Sequence, residues 1–199
     1  MYDEIRFGRE FFEMLVAVDA KIAGAVAASG CGACGGPLHR GDYLRKPRGA
    51  LLAAAGEAFV VRFSLCCGRD GCRQRATPPS LRFLGRRVYV GTAVVVASIV
   101  ALALRGVAAA RARTGVPART LGRWLGWWRG SFTATAVFVA LASRLVPAID
   151  RATIPASILE RLDGDALARV HRLLEQLAPL TTASVLDGSR FVREAISPW

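Results

Sequence analysis

A chain of 199 residues, 53% of them hydrophobic, is long enough for one domain or two small ones and apolar enough to bury a core. Its net charge of +12 arises from 25 Arg and 2 Lys against 15 acids, and it is unevenly placed: residues 71–149 carry twelve arginines and no Asp or Glu. Solvated surfaces mix signs, so an acid-free run of this length argues against an ordinary neutral surface and points to a polyanion, either nucleic acid or an anionic membrane.

The first predicted element is an amphipathic helix over 8–28. Phe11, Phe12, Leu15, Val18 and Ile22 recur at spacings of three and four, with Glu10, Glu13, Asp19 and Lys21 on the other face. Gly30 is placed to stop it. The acids have no visible partner in the sequence, so this helix reads as structural.

Two cysteine clusters follow, Cys31-Gly32-Ala33-Cys34 and Cys66-Cys67-Gly68-Arg69-Asp70-Gly71-Cys72. A C-x2-C turn sets two thiolates on one edge of a tight loop, and a second cysteine turn completes a tetrahedron around zinc. Five cysteines compete for four places. Cys31, Cys34, Cys67 and Cys72 are the expected ligands and Cys66 is the alternative, because Cys66 ends the alternating run Phe59–Leu65, which reads as a strand. His39, five residues past Cys34, is a further alternative for the fourth place. A disulfide framework fits poorly: the count is odd, the cysteines lie within 42 residues, and no secretory signal precedes them. Ala28-Ser29-Gly30-Cys31 looks like a lipoprotein signal, but Asp3, Glu4, Glu10 and Glu13 stand where a basic segment belongs.

Between the clusters, Pro37 to Gly49 reads as a strand and then a basic loop. Arg45, Lys46 and Arg48 have the density of phosphate contacts, as have Arg73 and Arg75 beyond the second cluster and Arg86 and Arg87 farther on. Thr77-Pro78-Pro79-Ser80 closes the ribbon.

The stretches CGACGGPLHRGDYLRKPRG and FSLCCGRDGCRQRATPPSLRFLGRRVY resemble the zinc ribbons near the start of bacterial insertion-sequence transposases and in small proteins associated with them. The resemblance implies DNA binding at mobile-element sequences.

Val88 to Leu104 is seventeen residues without a charge. It reads either as a buried central helix or as a short membrane anchor, at the bottom of the spanning range. The run Ser131 to Ser143 is too short to span.

A helix-turn-helix pattern comes next. Ala108–Arg113 forms the first helix, Thr114-Gly115-Val116 the turn, and Pro117–Arg129 the second helix. Val116, Leu121 and Trp124 face inward; Arg119, Thr120 and Arg123 face a major groove. Farther on, Pro147 and Pro155 bracket a linker. Short helices are expected at 158–162 and 189–196, and a longer one over Asp165–Leu177 with Leu167, Val170, Leu173, Leu174 and Leu177 on one face and His171 at the surface.

The expectation is a mainly α protein with a small β zinc ribbon, divided into 1–30, 31–82, 83–146 and 147–199. Acids are missing where a transposase would need three converging carboxylates, and no nucleophile motif is present, so no enzyme is expected. The expected function is zinc-dependent binding of double-stranded DNA in the cytoplasm, with a transposase or a second copy as further partner. The alternatives are a small membrane protein anchored by 88–104 and a zinc-stabilised protein-interaction module.

Overall fold

The computed structural model describes residues 7–45, 55–84, 89–104 and 106–196. In chain order these form α1 (Arg9–Ser29), β1 (Leu38–Arg40), β2 (Tyr43–Leu44), a 3-10 turn at Glu57–Val60, β3 (Val61–Arg62), β4 (Leu65–Cys67), β5 (Arg75–Ala76), β6 (Phe83–Leu84) and β7 (Tyr89–Val90). The helical half follows with α2 (Gly91–Ala103), α3 (Val107–Thr114), α4 (Ala118–Trp127), α5 (Ala136–Ala142), α6 (Ala156–Leu159), α7 (Ala166–Leu177) and α8 (Gly188–Ile196). The protein is mainly helical with a small sheet region.

The described residues group into two compact units. One comprises 8–45, 55–84, 89 and 177–196 and the other 7, 90–104 and 106–176. This grouping differs from the four consecutive parts expected from the sequence, because the apolar stripe of α1 is covered by α8 from the far end of the chain.

In the cysteine unit, α1 buries Phe11, Phe12, Leu15, Ile22, Ala23 and Val26, and Gly30 ends it with φ 75°. Phe12 meets Phe59 edge-on at 5.0 Å, which seats the helix on the 3-10 turn before β3. Asp19 departs from the sequence reading. It is 1% exposed, and its carboxylate accepts from Ser80 Oγ, the Leu81 N–H and Arg82 Nε. Apolar spacing alone could not show this, since the partner lies some sixty residues away.

The expected continuous strand over 59–65 is also broken. A 3-10 turn, β3 and β4 replace it, with an interruption at Phe63-Ser64 where the Ser64 N–H donates to Asp42 Oδ1 at 2.9 Å instead of to a neighbouring strand. β4 lies between β1 and β5, antiparallel to both, and β2 pairs with β3.

In the helical unit, α2 is apolar on every side and buried from Gly91 to Ala101. It packs on α3 and α4. At thirteen residues it is about 20 Å long, short of the roughly 30 Å hydrocarbon thickness. Among the described residues no helix is long and apolar enough to cross a membrane. Ser98 in α2 accepts from the Trp128 indole N–H at 3.1 Å. Trp128, Phe132 and Phe138 form a chain of edge-on rings with centroids 5.0 and 5.4 Å apart. On α7, Val170, Leu173, Leu174 and Leu177 are all buried.

Candidate metal centre and basic surfaces

The first cysteine turn begins where α1 stops. The Cys31 N–H donates to Gly36 O at 2.9 Å and the Gly35 N–H to Cys31 O at 2.7 Å, so residues 31–36 fold back on themselves. The second turn leaves the end of β4. The Cys67 N–H donates to Gln74 O at 2.9 Å, and the Cys72 N–H to Arg69 O at 3.2 Å. Arg69 ties the two turns together, its guanidinium donating to Cys34 O at 2.8 Å.

This brings four sulfurs together. Cys31 and Cys72 approach to 3.8 Å, Cys34 and Cys67 to 3.5 Å, and all four lie within 4.8 Å of one another. Sulfurs bound tetrahedrally at about 2.3 Å from one centre are separated by about 3.8 Å, so the donor set fits a metal ion. A disulfide needs about 2.05 Å, and all five cysteines are free.

Backbone N–H groups two residues on complete each turn: Gly36 to Cys34, Arg69 to Cys67 and Gln74 to Cys72. Such donors favour the thiolate. Gly36 lets the two turns approach closely, because a Cβ there would stand 3.1 Å from Arg69 Cβ, 3.2 Å from Cys67 Sγ and 3.3 Å from Cys34 Sγ and would press on the cluster.

Three of the thiols are shifted in acidity. The Gly36 N–H, aided by the Cys72 thiol, brings Cys34 down to about 7. Cys67 is helped by the Arg69 N–H, but burial and the neighbouring cysteines outweigh it and push the thiol up to about 12. On Cys72 the Gln74 N–H acts downward, and Cys34 together with burial leaves a net rise. Cys34 is thus the more acidic thiol of its pair with Cys67, and a cation at the centre of the cluster would favour the thiolate at every sulfur.

Cys66 stands apart. It is opposite His39 and Arg75 in the sheet, and strand alternation turns its side chain away from Cys67. Its thiol lies near Arg73 O and Cys67 O, and neither it nor His39 belongs to the sulfur cluster.

The basic residues singled out in the sequence fall in both units. In the cysteine unit, Arg45 is half-buried, its guanidinium stacked 5.0 Å over the Tyr43 ring and hydrogen-bonded to the Tyr43 hydroxyl. Arg73 is exposed with φ 46°, 3.6 Å from Asp70, and exposed Arg75 reaches Ser64 Oγ at 3.3 Å. Lys46, Arg48, Arg86 and Arg87 lie outside the described residues. In the helical unit, α3 and α4 are joined at Gly115-Val116-Pro117. Gly115 takes φ 67°, a left-handed conformation that glycine adopts without steric cost, and its N–H caps Arg111 O. Ala110, Val116, Leu121 and Trp124 are buried, which leaves Arg119 and Arg123 exposed on α4 and Thr120 half-buried between them. Arg123 donates to Thr120 Oγ1 at 3.3 Å.

Three groups escaped or misled the sequence reading. Arg62 and Arg82 are fully buried, so they belong to the interior of the cysteine unit and not to a basic surface. His171, expected at the surface, is half-buried beside Glu175 at 3.4 Å, with Nε2 enclosed and without a hydrogen-bond partner among the described residues. No protein-family model matches the sequence, and neither does any curated protein or solved structure.

Proposed function

We propose that the chain is a non-catalytic zinc protein that binds double-stranded DNA in the cytoplasm, in the setting of a mobile element, as its resemblance to transposase zinc ribbons implies. The observation that carries the reading is the joint one of four clustered sulfurs and an acid-free stretch whose helix α4 exposes Arg119 and Arg123 opposite buried Leu121 and Trp124. Zinc is the metal that an all-thiolate tetrahedral set at the junction of two turns suits best, and with four protein sulfurs it would be structural and closed to solvent ligands. The metal would supply cross-linking of the two turns. The chain's own groups would then do the binding: arginines in both units neutralise phosphates, and the start of α4 presents Arg119, Thr120 and Arg123 to a groove.

The test is metal analysis of the purified protein together with mobility-shift binding to duplex DNA, with and without chelator. One equivalent of zinc and chelator-sensitive binding is the expected result. Zinc without DNA binding would overturn the reading in favour of a protein-interaction module.

A further inference from the structure

A second cluster in the cysteine unit is chemically unlike the sulfur site. Beside β2, β3 and β5 lies a cavity of about 580 Å³ whose lining includes Arg45, Arg62, Arg75, Tyr43 and Ser184. Among the described residues no carboxylate lines it.

Arg62 makes this arrangement unusual. Its side chain is 1% exposed, and its guanidinium donates only to the carbonyls of Phe63, at 3.3 Å, and Pro78, at 2.5 Å. It forms no ion pair with any described residue. The nearest buried acid, Asp19, is already held by Arg82. Burial accordingly holds Arg62 below the usual arginine range, against the opposing pull of Asp19 and Tyr43 and with the charges of Arg82 and Arg45 adding to it. A buried cation with only neutral acceptors is costly, and an anion is the partner that relieves it.

The remaining donors point the same way. The Tyr43 hydroxyl accepts from Arg45 Nη2 at 3.0 Å, which leaves its proton to donate. Ser184 Oγ accepts from the Thr77 N–H at 2.8 Å, which leaves its proton free as well. Arg75 uses one nitrogen on Ser64 and keeps the others. The cavity is thus rich in donors, with three arginines among its lining residues.

We propose that this cavity is a binding site for a phosphate group. A carboxylate offers one charge and two acceptor oxygens, whereas a phosphate monoester brings close to two charges and presents more oxygens to planar guanidinium forks such as those of Arg62 and Arg75. The volume exceeds that of the ion, so the site has room for part of the molecule that carries the phosphate, with Leu180 and the Tyr43 ring as apolar wall. The phosphate could be free or could be the end of a nucleic-acid strand. The assignment does not depend on duplex binding through α4, because its residues all lie in the cysteine unit.

The experiment uses the full zinc-loaded chain and three probes: inorganic phosphate, and one short oligonucleotide with and without a 5′-phosphate. Calorimetric titration at constant ionic strength, set with chloride, is expected to give one saturable phosphate site that sulfate competes for. Tyr43→Phe and Arg75→Gln should each weaken it about tenfold, while circular dichroism shows the fold retained. A preference of tenfold or more for the phosphorylated oligonucleotide assigns the site to strand ends; equal affinity for the two oligonucleotides with phosphate still bound assigns it to a free phosphate compound. Phosphate heats indistinguishable from chloride, or unchanged binding in both variants, would overturn the proposal. Arg119→Gln reports on duplex binding alone and leaves the phosphate titration unchanged, so the two readings fail separately.

Discussion

Asp19 Oδ2 lies 2.8 Å from Arg82 Nε, and neither side chain reaches solvent. The pair joins the middle of α1 to the segment that leaves the cysteine ribbon. It is embedded in a nearly complete set of partners: Asp19 also takes the Leu81 N–H and Ser80 hydroxyl, and Arg82 reaches the carbonyls of Ala58 and Phe59 while its guanidinium sits within 6 Å of the Phe59, Phe63 and Phe83 rings. Desolvating two charges is expensive, so the pair contributes less to net stability than its geometry suggests. What it fixes is position, since an apolar face on α1 alone would tolerate sliding.

Removing one partner is a different matter. Asp19→Ala leaves a guanidinium buried without its carboxylate and should cost about 3–5 kcal/mol. Denaturant unfolding followed by circular dichroism measures it. The double variant Asp19→Leu with Arg82→Met should recover most of that loss, because both charges leave together. A double variant as unstable as Asp19→Ala would show that the pair stabilises by attraction rather than by mutual cancellation.

Metal retention should separate Cys66 from the other four cysteines. Cys34→Ser or Cys72→Ser removes a sulfur from the cluster, and the bound metal should fall well below one equivalent by mass spectrometry. Cys66→Ser, whose side chain faces the other side of the sheet, should keep the full equivalent. Chelation of the parent protein should lower its thermal midpoint, because the metal would cross-link the two cysteine turns, while α1, α8 and the Asp19–Arg82 pair still hold the rest of the unit. A thermal midpoint unchanged in excess chelator would count against a structural metal.

The pair His171 and Glu175 gives α7 a pH signature. Burial, with Arg172 in support, holds His171 below its ordinary 6.5, so the unfolded chain takes that proton first. The stability it contributes is complete above about pH 6.5 and is lost as the pH falls toward the folded value. Glu175 is raised above its ordinary 4.5 by burial, against a smaller opposing pull from Arg172. The folded state takes that proton first, so its contribution is present at low pH and lost as the pH rises from 4.5. His171→Gln removes the first effect and keeps the second. Its unfolding free energy should therefore fall less than that of the parent between about pH 7 and about pH 5 in urea titrations, and Glu175→Gln should fall more. Parallel pH curves for all three proteins would refute the assignment.

Much of this was legible in the residues. The apolar spacing of α1 and α7 gave helices within a residue or two of their observed ends, because a buried stripe at 3.6-residue spacing has few alternatives. Cys31, Cys34, Cys67 and Cys72 were separable from Cys66 because Cys66 belongs to an alternating strand, whose geometry turns neighbouring side chains to opposite faces. The fate of the charges was not legible. Asp19, Arg62 and Arg82 are local exceptions in polar positions or alternating runs, and nothing near them in the chain announces that they meet inside one unit. Long-range pairing also explains the grouping of the chain, since α8 completes the unit that α1 begins. Chain order does not display that residues 177–196 pack with α1.

The exposed face of α4 provides the sharpest test of duplex binding. Arg119 and Arg123 are one turn apart and exposed, on a helix whose opposite side is fixed by fully buried Leu121 and 6%-exposed Trp124. Replacing either by Gln changes no buried contact, so circular dichroism and the thermal midpoint should hold. If each neutralises one phosphate, each substitution lowers the slope of log K against log salt by about 1, and the double variant by about 2. If either reads a base edge instead, its loss costs about 1–3 kcal/mol on the preferred sequence and far less on others. Titrating one labelled duplex at several salt concentrations distinguishes the two roles. A slope and affinity unchanged in the double variant would remove α4 from the interface and leave the basic residues of the cysteine unit as the ones that hold DNA.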